Sequence, residues 1–319
     1  MKIVYFGSGE FGVECLNALA GSNHSLMFVV TQPALPAGRG RKPRPTPAAR
    51  WAKEHSVEFL GTDNVNSPGT IEKIAEFCAD LIVVIAFGQK IGNELINLPP
   101  KSAINVHASL LPKYRGAAPI NWAIINGETE TGITIIKLAE EMDAGDILAR
   151  EKTEILPGET AGQLHDRLAR MAAPVLLKAI DKIADATVVY TEQDRSKATL
   201  APKLKKSDAI LDFSESARSL RRKILGFYPW PGATALYFSN KTKKRQRVTI
   251  AGAEVVELSK QAALSNGVLD ENLNVVCGEG ALKITKIKPD GSALMDFKDF
   301  VNGRATAPGD VFMKIDKYK

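Results

Sequence analysis

Across residues 1–150, apolar runs of strand length alternate with segments whose apolar positions recur at helical spacing. Lys2-Ile3-Val4-Tyr5-Phe6 reads as a strand and Glu10 to Leu19 as a helix. Met27–Thr31 and Val57–Leu60 read as further strands, Ala48–His55 and Gly69–Cys78 as helices. Leu81-Ile82-Val83-Val84-Ile85-Ala86 has no polar break, the signature of a strand covered on both faces. Residues 132–138 and 146–155 are β-rich, and Thr160–Ala184 reads as a long amphipathic helix. This alternation predicts an α/β domain with a doubly wound, mostly parallel, Rossmann-like sheet.

The periodicity changes near residue 190. Thr191-Glu192-Gln193-Asp194-Arg195 and Ala201-Pro202-Lys203-Leu204 carry little pattern, and residues 190–206 read as a linker. Ser216–Leu225 then reads as a helix ending at Gly226. Short strand-like runs follow at 233–238, 247–251, 254–258, 274–277 and 281–287, with turn residues between them. That spacing suggests a small β-barrel. The expected organisation is a first domain over 1–189, the linker over 190–206, and a smaller OB-like barrel over 207–319.

The candidate chemistry begins in a short apolar strand that runs through Ala103-Ile104-Asn105-Val106-His107 and bends at Leu110-Leu111-Pro112. Side chains two apart in a strand share a face, so Asn105 and His107 point the same way. An amide and an imidazole at a strand's C-terminal end stand where open α/β sheets place ligands. The turn Met142-Asp143-Ala144-Gly145-Asp146 offers a carboxylate. Beside His107 it would favour the protonated ring, although a turn Asp more often closes an Asx-turn. Gln32–Arg50 is a Pro/Gly-rich insertion with Arg39, Arg41, Lys42, Arg44 and Arg50 and no acid. Guanidinium groups on such a loop suit phosphate, and proline with like charges keeps it extended.

Charge sharpens that picture. The chain of 319 residues carries a formal +6, but residues 203–319 hold 21 basic and 13 acidic side chains. The first 202 residues hold 21 basic and 23 acidic, so the second domain is the one suited to a polyanion. Lys241, Lys243, Lys244, Arg245 and Arg247 form one candidate patch, a run that would serve equally as a solvated hairpin tip. No apolar run approaches the roughly 20 residues of a membrane span. Cys15, Cys78 and Cys277 are few and far apart, which fits reduced thiols in a cytoplasm. The four histidines and three cysteines show no metal-ligand spacing. Gly7-Ser8-Gly9-Glu10-Phe11-Gly12 matches a dinucleotide fingerprint, but Thr31-Gln32-Pro33 stands where the supporting acid belongs. Glycine also serves a plain strand-to-helix turn.

Taken together, Asn105-x-His107, Ser109-Leu110-Leu111-Pro112 and Asp143-Ala144-Gly145-Asp146 resemble the formyltransferase family that uses 10-formyltetrahydrofolate. The likeness extends over nearly the whole chain, through Gly226–Ala233 and Gly280–Gly303. It implies Asn105, His107 and Asp143 as the catalytic trio. Ser109, Leu110, Leu111 and Pro112 would contact the folate, and Phe87, Gly88 and Gln89 would begin its pterin pocket. The basic insertion is similar to that of members acting on initiator methionyl-tRNA in translation initiation. There Arg39, Arg41, Lys42 and Arg44 would meet the acceptor end, and Lys241, Lys243, Lys244 and Arg245 would hold tRNA phosphates. The expected protein is a cytoplasmic monomer with no metal and no membrane partner. The rival readings are a formyltransferase for amino-sugar nucleotides and a non-catalytic RNA-binding protein. The chain departs from the pattern at Ser8-Gly9, where Thr-Pro is common, and at Ala108, where glycine is usual. A methyl fits at 108 if the backbone there keeps a negative φ. Trp230, between two prolines, is expected to pack at the domain junction.

Overall fold

The computed structural model describes residues 1–37, 42–257 and 264–315. The chain forms two compact units. One comprises Met1–Pro119, Glu130–Glu154 and Leu164–Pro202, the other Ile120–Thr129, Ile155–Gln163 and Lys203–Lys319. Among the described residues, no helix is long and apolar enough to cross a membrane.

The first unit is built on β1 (Lys2–Gly7), β2 (Ser25–Thr31), a separate hairpin of β3 (Leu35–Ala37) and β4 (Lys42–Arg44), then β5 (Phe59–Gly61), β6 (Leu81–Ile85), β7 (Ser102–His107), β8 (Glu130–Lys137) and β9 (Ile147–Glu154). The main sheet has the order β5-β2-β1-β6-β7-β8-β9. Its first five strands pair in parallel, while β8 and β9 are added antiparallel. The chain leaves β1 on one side through β2 and β5, and returns on the other through β6 and β7. That reversal opens a crevice at the strands' carboxyl ends. Every residue of β6 is buried, so its unbroken apolar run is a strand covered on both faces. Val4, Phe6, Phe28, Val30, Ile82, Val84 and Phe87 pack into one core. The helix Pro47–Glu54 starts with Pro at its first position and Thr46 as cap, whose hydroxyl accepts from the Ala49 N–H at 3.1 Å.

The glycines of the apparent dinucleotide fingerprint answer to the core beneath them. A Cβ added at Gly7 would lie 2.3 Å from the Tyr5 hydroxyl, and one at Gly12 only 1.8 Å from it. Tyr5 is fully buried, and burial pushes its phenol well above the ordinary range. The basic insertion differs from the extended loop expected: β3 and β4 pair antiparallel, with Leu35 opposite Arg44 and Pro36 opposite Pro43. Arg39 and Arg41 lie outside the described residues.

The second unit carries the helix Ala217–Phe227 and strands β10 (Ala233–Phe238), β11 (Arg245–Val256), β12 (Val275–Val276), β13 (Ala281–Pro289), β14 (Met295–Asp296) and β15 (Val311–Met313). They form an antiparallel sheet in the order β12-β13-β11-β10-β15, with β14 on β13. Val268 bridges Val311 while Leu269 bridges Val275, so this short segment joins the two edges into a nearly closed barrel. The runs at 247–251 and 254–258, expected as two strands, mostly belong to one. The register shifts around Gly252, yet pairing with β13 continues past it. Ala217, Leu220, Ile224 and Phe227 face the core, and Arg218, Arg221 and Arg222 occupy the other side of the helix. Trp230 is 54% exposed, contrary to the buried packing expected. Its neighbour Pro229 is exposed as well, although its Cδ stands 2.8 Å from where a Gly162 Cβ would lie.

Burial pushes the Cys15 and Cys277 thiols up to about 12, whereas Cys78 is exposed. A water-soluble thiol reagent at mildly alkaline pH is expected to label Cys78 alone until the chain unfolds. Fast labelling of two or three thiols would contradict the burial described. In the second unit, Lys314 Nζ at 2.8 Å, with the Ser214 hydroxyl and N–H, holds the Asp212 carboxyl well below its usual range. A depressed carboxyl stabilises the fold above the unfolded value of about 3.9, and that contribution fades as pH falls further. Lys314→Ala should therefore lower stability at pH 7 and flatten the loss of stability below about pH 4. Denaturant titrations at both pH values test this, and an unchanged acid slope would refute the pairing.

Candidate active site

Asn105 and His107 stand at the end of β7, hydrogen-bonded between β6 and β8, and their side chains share one face as the strand period requires. The turn after β8 brings Asp143 to them. Asn105 Nδ2 donates to Asp143 Oδ1 at 3.2 Å, and His107 Nδ1 lies 3.6 Å from Asp143 Oδ2, an ion-pair distance when the ring is protonated. The Gly116 N–H donates to that same Oδ2 at 2.9 Å. Three residues within 12 positions of sequence, 105 to 116, thus surround a carboxylate 27 residues further on. His107 is 5% exposed, and its Nε2 lies 2.9 Å from the Tyr114 carbonyl oxygen. A carbonyl only accepts, so Nε2 carries a hydrogen and the Nδ1 edge faces the carboxylate.

The loops that meet here have little freedom. Asp143 has φ +55°, a left-handed conformation that Asp and Asn tolerate better than most residues. A Cβ at Gly145 would lie 1.8 Å from the Lys137 carbonyl, so the tight return from β8 to β9 requires glycine there. Gly116 has φ +121°, and a Cβ there would lie 2.7 Å from the Ala201 carbonyl. Ala108, by contrast, keeps a negative φ, so its methyl is accommodated.

The residues expected to contact folate fall into two groups. Ser109 is fully buried, and its hydroxyl donates to the Lys113 carbonyl at 2.7 Å. Leu111 is buried against Ile136 and Ile147, while Leu110 and Pro112 are partly exposed. Phe87 packs in the core near Phe6, leaving Ala86 and Gly88 exposed at the turn with positive φ. The Gln89 amide accepts from the Val65 N–H at 2.8 Å and donates to the Thr62 carbonyl at 2.7 Å, tying two loops together. Sequence reasoning passed over Thr134, whose hydroxyl donates to the Ser109 carbonyl at 2.6 Å and accepts from the Leu111 N–H at 3.1 Å. Thr134 stands opposite His107 in the strand register, a pairing that the sequence does not display. Among the described residues, no cluster of His, Cys, Asp or Glu is arranged to hold a metal.

Of the basic residues, Arg44 is exposed on the insertion's hairpin, and for Lys42 only the backbone in β4 is described. Arg50 pairs with Glu10 at 2.8 Å. Lys241, Lys243, Lys244 and Arg245 are all exposed around the tip between β10 and β11. They belong to the second unit.

A polar trio at the switch-side end of a mostly parallel sheet, followed by an antiparallel barrel, defines the class. Residues 1–180 match the family described as formyl transferase, and residues 203–305 match its C-terminal domain, so the chain belongs to the formyl transferase family. Within it, the chain is 37% identical over 97% of its length to a methionyl-tRNA formyltransferase of Geobacter metallireducens, covering 97% of that protein. It is 38% identical to one of Alkaliphilus oremlandii, over 98% of this chain and 99% of that one. Among solved structures, HypX from Aquifex aeolicus in complex with tetrahydrofolic acid shares the fold at TM-score 0.61 and 17% identity, covering all of this chain and 51% of the other. An N-formyltransferase from Helicobacter canadensis, solved with folinic acid and dTDP-3-aminofucose, also gives TM-score 0.61, at 15% identity, over 90% of this chain and 98% of the other.

Proposed function

We propose that the chain transfers the formyl group of 10-formyltetrahydrofolate to the α-amino group of methionine esterified to initiator tRNA. The observation that carries this reading is the convergence of Asn105, His107 and Asp143, in a chain alike end to end to proteins named for that reaction. The donor set suits the chemistry. Asn105 holds Asp143 with one amide hydrogen and keeps a second for a developing oxygen. His107 Nε2–H is committed to Tyr114, which leaves the Nδ1 edge beside Asp143, when protonated, to donate to the oxygen of the reacting carbonyl. Together they stabilise the tetrahedral oxygen formed when the neutral amine attacks the formyl carbon. Asp143 accepts the proton that the new ammonium loses, directly or through water. The bond from carbon to N10 then breaks, and that proton ends on N10. No bond to the protein is made. The exposed backbone at Ala86 and Gly88 offers hydrogen-bonding groups for the edge of a flat pterin, with Leu110 and Pro112 as apolar neighbours.

The tRNA is held, on this reading, by charge on both units. Arg39, Arg41, Lys42 and Arg44 guide the acceptor end. Lys241, Lys243, Lys244 and Arg245 bind phosphates, and so does the arginine face of the helix Ala217–Phe227. There Arg218, Arg221 and Arg222 line a cavity of about 610 Å³ with Glu254 as the acid among its lining residues. The protein works as a cytoplasmic monomer. The test offers 10-formyltetrahydrofolate with either initiator methionyl-tRNA or a dTDP-linked amino sugar. Formylation of the tRNA is expected; formylation of the sugar alone would replace this reading with its rival.

A further inference from the structure

Gln193 lies in a stretch without regular secondary structure, yet it is only 4% exposed. Every hydrogen-bonding position of its amide is used. Nε2 donates to the Asp143 carbonyl at 2.8 Å and to the Gly145 carbonyl at 2.7 Å. Oε1 accepts from Arg115 Nη2 at 2.9 Å and from Arg115 Nε at 3.3 Å. Arg115 is itself 7% exposed and reaches Glu141 Oε1 with Nη1 at 3.1 Å. Its backbone is pinned to the neighbouring segment, the N–H to the Thr199 carbonyl at 2.8 Å and the carbonyl to the Ala201 N–H at 2.7 Å. The next residue is Gly116, whose N–H holds Asp143 Oδ2.

One amide therefore brackets both sides of the turn that carries the candidate base, at a residue whose φ is +55°. A two-carbonyl clamp of this kind fixes the backbone direction from which the Asp143 side chain leaves. The Arg115 fork fixes which way the amide faces, because its guanidinium can only donate. We infer that Gln193 is a positioning residue for Asp143, oriented by Arg115. The inference rests on the catalytic reading of Asp143 given above. Displacing a reacting group by about 1 Å is enough to cost on the order of a hundredfold in rate.

Gln193→Glu is the informative change. It keeps the volume and the contact with Arg115, but turns a carboxylate oxygen toward two carbonyls that need donors. The expected result is a fall in kcat of about tenfold to a hundredfold with KM for folate and tRNA held within about threefold. The pH profile of kcat should also move, because the distance between carboxylate and ring has changed; a merely structural role would leave that profile in place. If Gln193→Glu does not fold, Gln193→Met removes the two donors without adding charge and is read the same way. Each is then combined with Asp143→Ala. Because Gln193 acts through Asp143, the double variant should be no slower than Asp143→Ala by more than about threefold. A folded Gln193 variant with kcat within threefold of wild type and the same pH profile would overturn the inference, as would losses that multiply in the double variant. A wild-type chain that formylates neither acceptor would instead sink the functional reading, so the two failures are distinct.

Discussion

Asp143→Asn should lower kcat for formylation by about a hundredfold to a thousandfold while leaving KM for tRNA within about threefold. The carboxylate accepts from Asn105 Nδ2 through one oxygen and from the Gly116 N–H through the other. An asparagine amide has one accepting end, so its NH2 must oppose a donor whichever way it turns. The variant also loses the charge that faces His107 at 3.6 Å and the base that takes the ammonium proton. tRNA binding is assigned to other groups, so the loss belongs to turnover. Steady-state kinetics with both substrates varied would show it. Turnover within threefold of wild type would remove Asp143 from the mechanism.

Asn105→Ala should cost a similar factor, and for a different reason. Deleting one preorganised donor to a developing oxyanion typically costs about 10²–10³ in kcat, or roughly 2.7–4 kcal/mol. Asn105 sits in β7 between two paired strands, so the strand persists when its side chain is shortened. The loss should appear in kcat with both KM values little changed, since the contact strengthens only as the carbonyl oxygen gains charge. Asn105→Ala should also loosen Asp143, and Asn105→Ala/Asp143→Asn should therefore lose less than the product of the single losses. An Asn105→Ala enzyme that keeps kcat but raises KM would mean that the amide binds the ground state, not the transition state.

The parts of this arrangement that the sequence displayed are those with a period or a polarity out of place. Asn105 and His107 stand two apart in an apolar strand, and β6 is a run with no polar break; each pattern has one dominant structural cause. The barrel's short strands were also visible, although the bulge near Gly252 made one long strand look like two. What stayed hidden was set by neighbours distant in sequence. Gln193 looked like linker because its partners are backbone carbonyls and an arginine 78 residues away, none of which leaves a mark at position 193. The fingerprint Gly7–Gly12 lacked its supporting acid in the sequence, but the reason for its glycines, the phenol of Tyr5 that crowds Gly7 and Gly12, was not visible there. Thr134 fixes Ser109 and Leu111 with a hydroxyl that reads, by composition, as an ordinary strand residue. Trp230 looked like core because large aromatics bury well, yet it and the neighbouring Pro229 both stand exposed.

The most direct measurement is a single turnover with the formyl carbon of 10-formyltetrahydrofolate isotopically labelled, quenched at successive times. If the amide, the ring and the acid act together on one carbonyl carbon, the label moves straight to the α-amino nitrogen of methionyl-tRNA, and no protein-bound label appears at any time. Label trapped on the protein before it reaches the tRNA, or label that never reaches the tRNA, would contradict the account.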